Sequence, residues 1–225
     1  MEELSQLYEA PFEETQFSNP TFCSAFQKPK LPVLINGPER EIKPLTWGLV
    51  PYWSKSSKLK FSTANARCED VFSKPSWRVP IKKRRCLIPF TAFIEWRHWE
   101  DKKIPYLIKH HQNKISSFGG IWDKWFAPQA KSFEYTFSII TTPANKLLAQ
   151  VHNTKKRMPL ILPPELENRW LDDLEAKEIE ALLNPLQGGK LFAYPIKFGV
   201  SKKMFDKAGN KVFERYDYED LPEVE

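Results

Sequence analysis

Short apolar runs alternate with polar punctuation along this chain, and few of the runs are long enough for extended helices. Nineteen prolines interrupt the 225 residues, which favours strands and turns. KLPVLI (30–35) reads as a strand closed by the turn NGPE, and LTWGLVPYW (45–53) as a strand running into a proline-limited loop. RRCLIPFTAFIEW (84–96) holds one or two strands around Pro89. PYLIKHH (105–111), SSFGGIWDKW (116–125) and FEYTFSIITTP (133–143) alternate or run apolar as strands do, and LFAYPIKFGV (191–200) is a late strand. FSTANARCEDVF (61–72) is ambiguous, a loop entering a short helix. Helical periodicity is confined to PANKLLAQVHN (143–153), with Pro143 near its start, and the amphipathic PPELENRWLDDLEAKEIEALLN (163–184), which LDDL can divide in two. There is no internal repeat and no convincing linker before about residue 200. The pattern predicts one compact α+β domain dominated by antiparallel sheet.

Composition agrees with a packed domain. Hydrophobic residues make up 41%, with 8 Trp and 16 Phe, enough for a real core and too much for a disordered chain. No apolar run approaches the roughly 20 residues of a membrane span. The acidic start MEELSQLYEAPFEE lacks a signal pattern, so a cytoplasmic protein is expected. Cys23, Cys68 and Cys86 are odd in number and have no CxxC spacing, which argues against a disulfide framework or a zinc site. His110 and His111 lack a ligand-like pattern, and neither metal nor cofactor is expected.

Charge changes the picture more. The net charge is +6, but the last twelve residues, ERYDYEDLPEVE, carry six acids and one base, leaving +11 on the other 213. SKPSWRVPIKKRR (73–85) holds six bases and no acid around Trp77, and Lys155, Lys156 and Arg157 form a second cluster. Cations interleaved with rings suit single-stranded nucleic acid, meeting phosphates and stacking on bases. A solvated lysine-rich face is the alternative. The acidic end reads as a disordered tail or as a cover for the basic surface.

A few residues could carry chemistry. Glu95 sits in an apolar and aromatic stretch, where a carboxylate is costly unless paired or protonated. It is either a structural partner of Arg97 or another arginine, or a group tuned for proton transfer. His152, at the end of the short helix beside three cations, is expected to hold a neutral ring usable as a base, or to be an ordinary histidine. Asn65 and Arg67 lie two apart, on one side of an extended stretch, and can orient a sugar and its phosphate. Cys86, inside RRCLIP, reads as a core cysteine; Cys68 is the better nucleophile candidate if this were a cysteine hydrolase.

Seven segments then stand in order: WGLVPYW (47–53), NAR (65–67), KPSWR (74–78), RRCLIP…FIEW (84–96), GGIWDKW (119–125), IITTPAN (139–145) and HNTKKRMPLIL (152–162). Over roughly residues 30 to 200 the chain resembles the SRAP family, the SOS response-associated peptidases or abasic-site processing proteins. The resemblance implies a domain at 1–205 on curved, mainly antiparallel sheets with a barrel-like core and a few flanking helices, followed by an acidic tail at 206–225. It implies a monomer that binds single-stranded DNA at abasic sites, cytoplasmic and nucleoid-associated when on DNA. Capture goes through a cysteine at position 2, exposed by the protein's own removal of its initiator methionine, whose amine and thiol close a thiazolidine on the sugar aldehyde.

Carried over motif by motif, the resemblance makes Glu95 the general acid/base and gives His152 a role in ring opening and in positioning the sugar hydroxyl. Asn65 orients the attacking terminus or the sugar. Arg67, Arg78 and Arg157 hold phosphates, Trp47 and Trp96 stack on or wedge between bases, and Thr142 lines the same pocket. One departure bears on the chemistry: residue 2 is Glu, not Cys. Two expectations follow, a chain short of its first strand, with EELSQLYEAPFEE as the family's first helix, or a variant that binds without the covalent trap. A second departure, FCSAF (22–26), places Cys23 where relatives carry an aromatic followed by Asn. Lacking a free amine, that thiol could form only a reversible thiohemiacetal. A cysteine peptidase using Cys68 or Cys23 is the remaining alternative.

Overall fold

The computed structural model describes residues 2–12, 22–37, 39–187, 189–197, 199, 203, 206–207 and 209–224. The turn read at 36–39 includes Pro38, outside the described residues, as are residues 198 and 200 at the end of the late strand. The chain divides into two compact units, one of residues 1–89, 117–142 and 159–184, the other of 90–116, 143–158 and 185–225.

The first unit is a sheet wrapped on itself. Its strands are β1 (Lys30–Ile35), β2 (Glu41–Trp47), β3 (Asn65–Arg67), β4 (Arg85–Phe90), β7 (Ser116–Ala127), β8 (Ser132–Pro143) and β10 (Ile161–Leu162), in spatial order β10-β7-β4-β1-β2-β8-β3. Pairing of β7 with β8 closes β7-β4-β1-β2-β8 into a five-stranded barrel. The α+β class on curved, mainly antiparallel sheets with a barrel-like core is therefore as expected. Closure needs a close approach. A Cβ on Gly120 would lie 2.4 Å from the Ile88 side chain and 2.8 Å from the Ser138 carbonyl.

Prolines inside these strands are accommodated by register. Pro32 faces Pro44 across β1 and β2. Trp47 donates to the Pro29 carbonyl, whereas the Ile42 amide turns outward to Pro11, so the Pro32–Pro44 pair is one in which neither amide addresses the partner strand. Gly48, at φ +121°, then ends β2 and sends the chain into the 49–64 loop. The core packs Leu34, Ile42, Leu49, Ala66, Leu87, Ile121 and Ile140 against Trp170 and Ile179 from helices α4 (Pro164–Leu171) and α5 (Ala176–Leu182). Those two helices are the amphipathic stretch divided at LDDL. Helix α1 (Glu2–Tyr8) adds Leu4 and Tyr8, and the Tyr8 hydroxyl meets Ser117 at 2.8 Å.

Arg85 corrects the reading of the basic cluster. It is fully buried and donates to the carbonyls of Ile81, Lys82, Trp170 and Asp172. It thus satisfies the ends of both α2 (Pro80–Lys83) and α4. Arg84 pairs with buried Asp123 at 3.1 Å. Two of the six bases are structural.

The second unit is a three-stranded antiparallel sheet, β11 (Leu191–Pro195), β6 (Lys102–His110) and β5 (Phe93–Trp99), with helix α3 (Lys146–Val151) packed on β5 and β11. Pro89 lies inside β4; the break between β4 and β5 comes at residues 91–92. Pro143 ends β8 and does not open α3, whose cap is Asn145, its side chain accepting from the Leu148 amide. Strand β9 (Arg157–Pro159) follows the loop after α3. The acidic segment at the end of the chain crosses this sheet. Tyr216 donates to the Pro195 carbonyl, Tyr218 to Ile196, and the Pro222 carbonyl accepts from buried Arg97 at 2.5 Å.

Candidate functional site

Strand β5 is an edge strand, and its free edge positions Glu95 and the loop after α3. Residues 93, 95, 97 and 99 pair inward with β6, so the amides of Trp96 and His98 point out. The Trp96 amide donates to the Glu95 carboxylate. The His98 amide donates to Asn153 Oδ1 at 2.9 Å, and Asn153 Nδ2 donates to the His98 carbonyl at 2.7 Å. This reciprocal pair fixes the loop after α3 against β5, and His152 beside it reaches Glu95, Nδ1 to Oε2 at 3.8 Å.

That distance is too long for a hydrogen bond. His152 Nδ1 instead lies 2.9 Å from the Arg157 carbonyl, which can only accept, so Nδ1 carries a proton, and in the tautomer this selects Nε2 is the acceptor. Glu95 is therefore not the group orienting His152. Both side chains are about one-fifth exposed, open enough for a substrate. Burial pushes the Glu95 carboxyl above its ordinary range; His152, the Trp96 amide and Lys155 oppose that rise. The structural partnership with Arg97 fails on geometry, because Arg97 is directed to the Tyr106 hydroxyl at 3.1 Å and to Pro222.

In this same unit Trp96 is exposed on the opposite face of β5 from Glu95, and Arg157 supplies the carbonyl that orients His152. In the first unit Asn65 and Arg67 are exposed on either side of buried Ala66, on one face of β3 as the spacing indicated. Trp47 is tied to the residue before Asn65, its Nε1 donating to the Ala64 carbonyl at 2.9 Å, and stacks on Phe137. Arg78 is exposed in the turn before α2. Thr142 is fully buried and offers no surface to a strand, which corrects its place in a pocket lining. Thr141, the register partner of Arg67, is the half-buried threonine on that side of β8.

Three further features escaped the sequence reading. Asn153 follows the candidate histidine directly, but nothing in its spacing marks a partner 55 residues away. Thr141 was adjacent to the residue chosen, and only strand register tells the two apart. The loop from Tyr52 to Phe61 exposes Tyr52, Trp53 and Phe61 among Lys55, Lys58 and Lys60, a basic–aromatic alternation legible in WSKSSKLKF. Two of the three cysteines, Cys23 and Cys86, are poor nucleophiles here. Cys86 is buried in the core, and burial raises the thiol pKa of both Cys86 and Cys23. Among the described residues no three His, Cys, Asp or Glu side chains group as metal ligands, and no helix is long and apolar enough to cross a membrane.

Comparison with known proteins shows the family. The family model described as SOS response associated peptidase (SRAP) matches residues 1–203. Abasic site processing protein YoqW of Bacillus subtilis (strain 168) is 34% identical over 181 residues, 79% of each chain. YoaM of the same organism, also named an abasic site processing protein, is 33% identical over 180 residues, covering 79% of this chain and 78% of that one. A crystal structure of a protein from Bacteroides thetaiotaomicron superimposes with a TM-score of 0.77 at 38% identity, over 86% of this chain and 84% of that one. The family match runs through both units, and the chain belongs to the SOS response-associated peptidase family.

Proposed function

We propose that this chain binds single-stranded DNA at abasic sites and uses Glu95 and His152 for proton transfer at the ring-opened sugar. The pair itself carries the reading. A half-buried carboxyl with a raised pKa stands 3.8 Å from an imidazole whose Nε2 is left to accept a proton. Opening an abasic sugar needs a proton taken from the C1 hydroxyl and one given to the ring oxygen, which suits two separate groups. Relatives about one-third identical bear the name abasic site processing protein, which supports the substrate.

Asn65 orients the sugar or the attacking terminus. Arg67, Arg78 and Arg157 hold phosphates, and Trp47 and Trp96 stack on bases. Covalent capture asks for one residue with both a free amine and a thiol. The amine displaces water from the aldehyde to give an imine, and the thiol adds across it to close a thiazolidine. Residues 1 and 2 of this sequence, Met-Glu, do not offer that pair. A second reading is non-covalent holding of the damaged strand, which would leave no adduct after denaturation. A peptidase acting through Cys23 has the raised thiol pKa against it.

Fluorescence anisotropy with matched oligonucleotides tests the binding that both readings share. Single strands carrying one abasic site should bind at least about 10-fold tighter than intact strands, and Glu95→Gln with His152→Ala together should erase that preference. Equal affinity for abasic and intact strands in the unaltered chain would remove the abasic site from the account.

A further inference from the structure

We propose that Asn153 is a positioning residue whose carboxamide, by completing the free edge of β5 at His98, sets the distance between His152 and Glu95. The inference rests on the proton-transfer reading of that pair and names the device that holds it.

His152 lies where helix geometry has ended. Its amide still bonds the Leu148 carbonyl, and its backbone has left the helical region at φ −87°, ψ 54°. The residues that follow form a tight loop, with Lys156 donating to the His152 carbonyl at 2.8 Å and adopting a positive φ of 49°. A loop of this kind has several ways to lie on a sheet edge. Asn153 selects one. Its two hydrogen bonds to His98 imitate a strand partner, donor to acceptor and acceptor to donor, so the loop can dock at a single register along β5.

That register matters because consecutive outward amides of the same strand do different work. The Trp96 amide addresses the Glu95 carboxylate, and the next outward residue, His98, addresses Asn153. The carboxylate and the loop carrying the imidazole are thus hung on adjacent edge positions, about 7 Å apart by strand rise. Nδ1 is turned away by the Arg157 carbonyl, and no hydrogen bond joins the two side chains, so their separation depends on backbone placement. An ordinary surface asparagine covering a strand edge would also satisfy His98. The bonded neighbour of a candidate catalytic histidine, however, cannot move without moving the imidazole.

The experiment compares the full chain with Asn153→Ala and Asn153→Gln. Alanine removes both bonds. Glutamine keeps both groups but adds one methylene, so the edge can stay covered while the loop shifts. Carbon-detected NMR of the Glu95 carboxyl is read across a pH titration without DNA. In both variants the Glu95 midpoint should move to higher pH, because His152 no longer lowers it, while circular dichroism of the glutamine variant stays that of the unaltered chain. On forms given a Met-Cys terminus, both variants should slow adduct formation on an abasic oligonucleotide by about 10-fold or more, since misplacing a reacting group by an ångström can cost up to about 100-fold. A Glu95 midpoint unmoved in the folded glutamine variant would overturn the inference. If the midpoint moves but the adduct rate does not, the positioning role stands and the proposed function falls.

Discussion

At the scale of the residue, Glu95 is the group whose environment says most. Its motif was legible, and so was the cost of a carboxylate in an apolar stretch. Its partner was not, because the nearer arginine in sequence, Arg97, shares the face but is drawn away by Tyr106 and Pro222. The raised carboxyl pKa has a definite sign for stability. The native state holds the Glu95 proton more tightly than the unfolded chain. The associated stability is present at pH below the ordinary carboxylate range and is lost as pH rises through the raised native value. Glu95→Gln should therefore melt above the unaltered chain at pH 8, with the gap closing towards pH 4, as a thermal melt series would read. A Tm gap that widens at low pH would give Glu95 the opposite sign. The same substitution should slow the proposed sugar chemistry by about 100-fold.

At the scale of the element, the strands were legible because their apolar periodicity survives the prolines. Their limits were not. Pro32 and Pro44 sit inside β1 and β2 where neither owes its partner a hydrogen bond, and Pro89 sits inside β4, so proline misplaced the break that falls at residues 91–92. Arg85 shows the complementary failure. Six bases in thirteen residues read as a phosphate surface, yet this one caps two helices from inside. Arg85→Ala leaves four carbonyls of α2 and α4 without their donor and should cost about 3–5 kcal/mol, a Tm loss of about 10 °C. Arg85→Lys should recover only part, since one ammonium cannot reach four acceptors in the guanidinium's plane. A thermal melt of Arg85→Ala unchanged from the parent would contradict the capping role.

At the scale of the whole molecule, the segment order gave away the family, whereas charge said less than its total suggested. Several basic residues are committed to structure, and the strongly acidic end is laid along β11 and Arg97. If Arg67, Arg78 and Arg157 each neutralise one phosphate, binding of a single strand should weaken with a log–log salt slope of about −2, and each arginine replaced by alanine should remove about 0.7 from it. Titrations between 50 and 200 mM salt would read this as a loss of about 20-fold. A slope near zero would leave those arginines without phosphates.

The most direct measurement is a denaturing gel of a single-stranded oligonucleotide carrying one abasic site, incubated with the chain as given and with a form bearing a Met-Cys terminus. The account expects a shifted band that survives denaturation with the Met-Cys form alone, forming about 100-fold more slowly when Glu95 is replaced by glutamine. A band of equal rate with and without Glu95, or no band with the Met-Cys form, would contradict it.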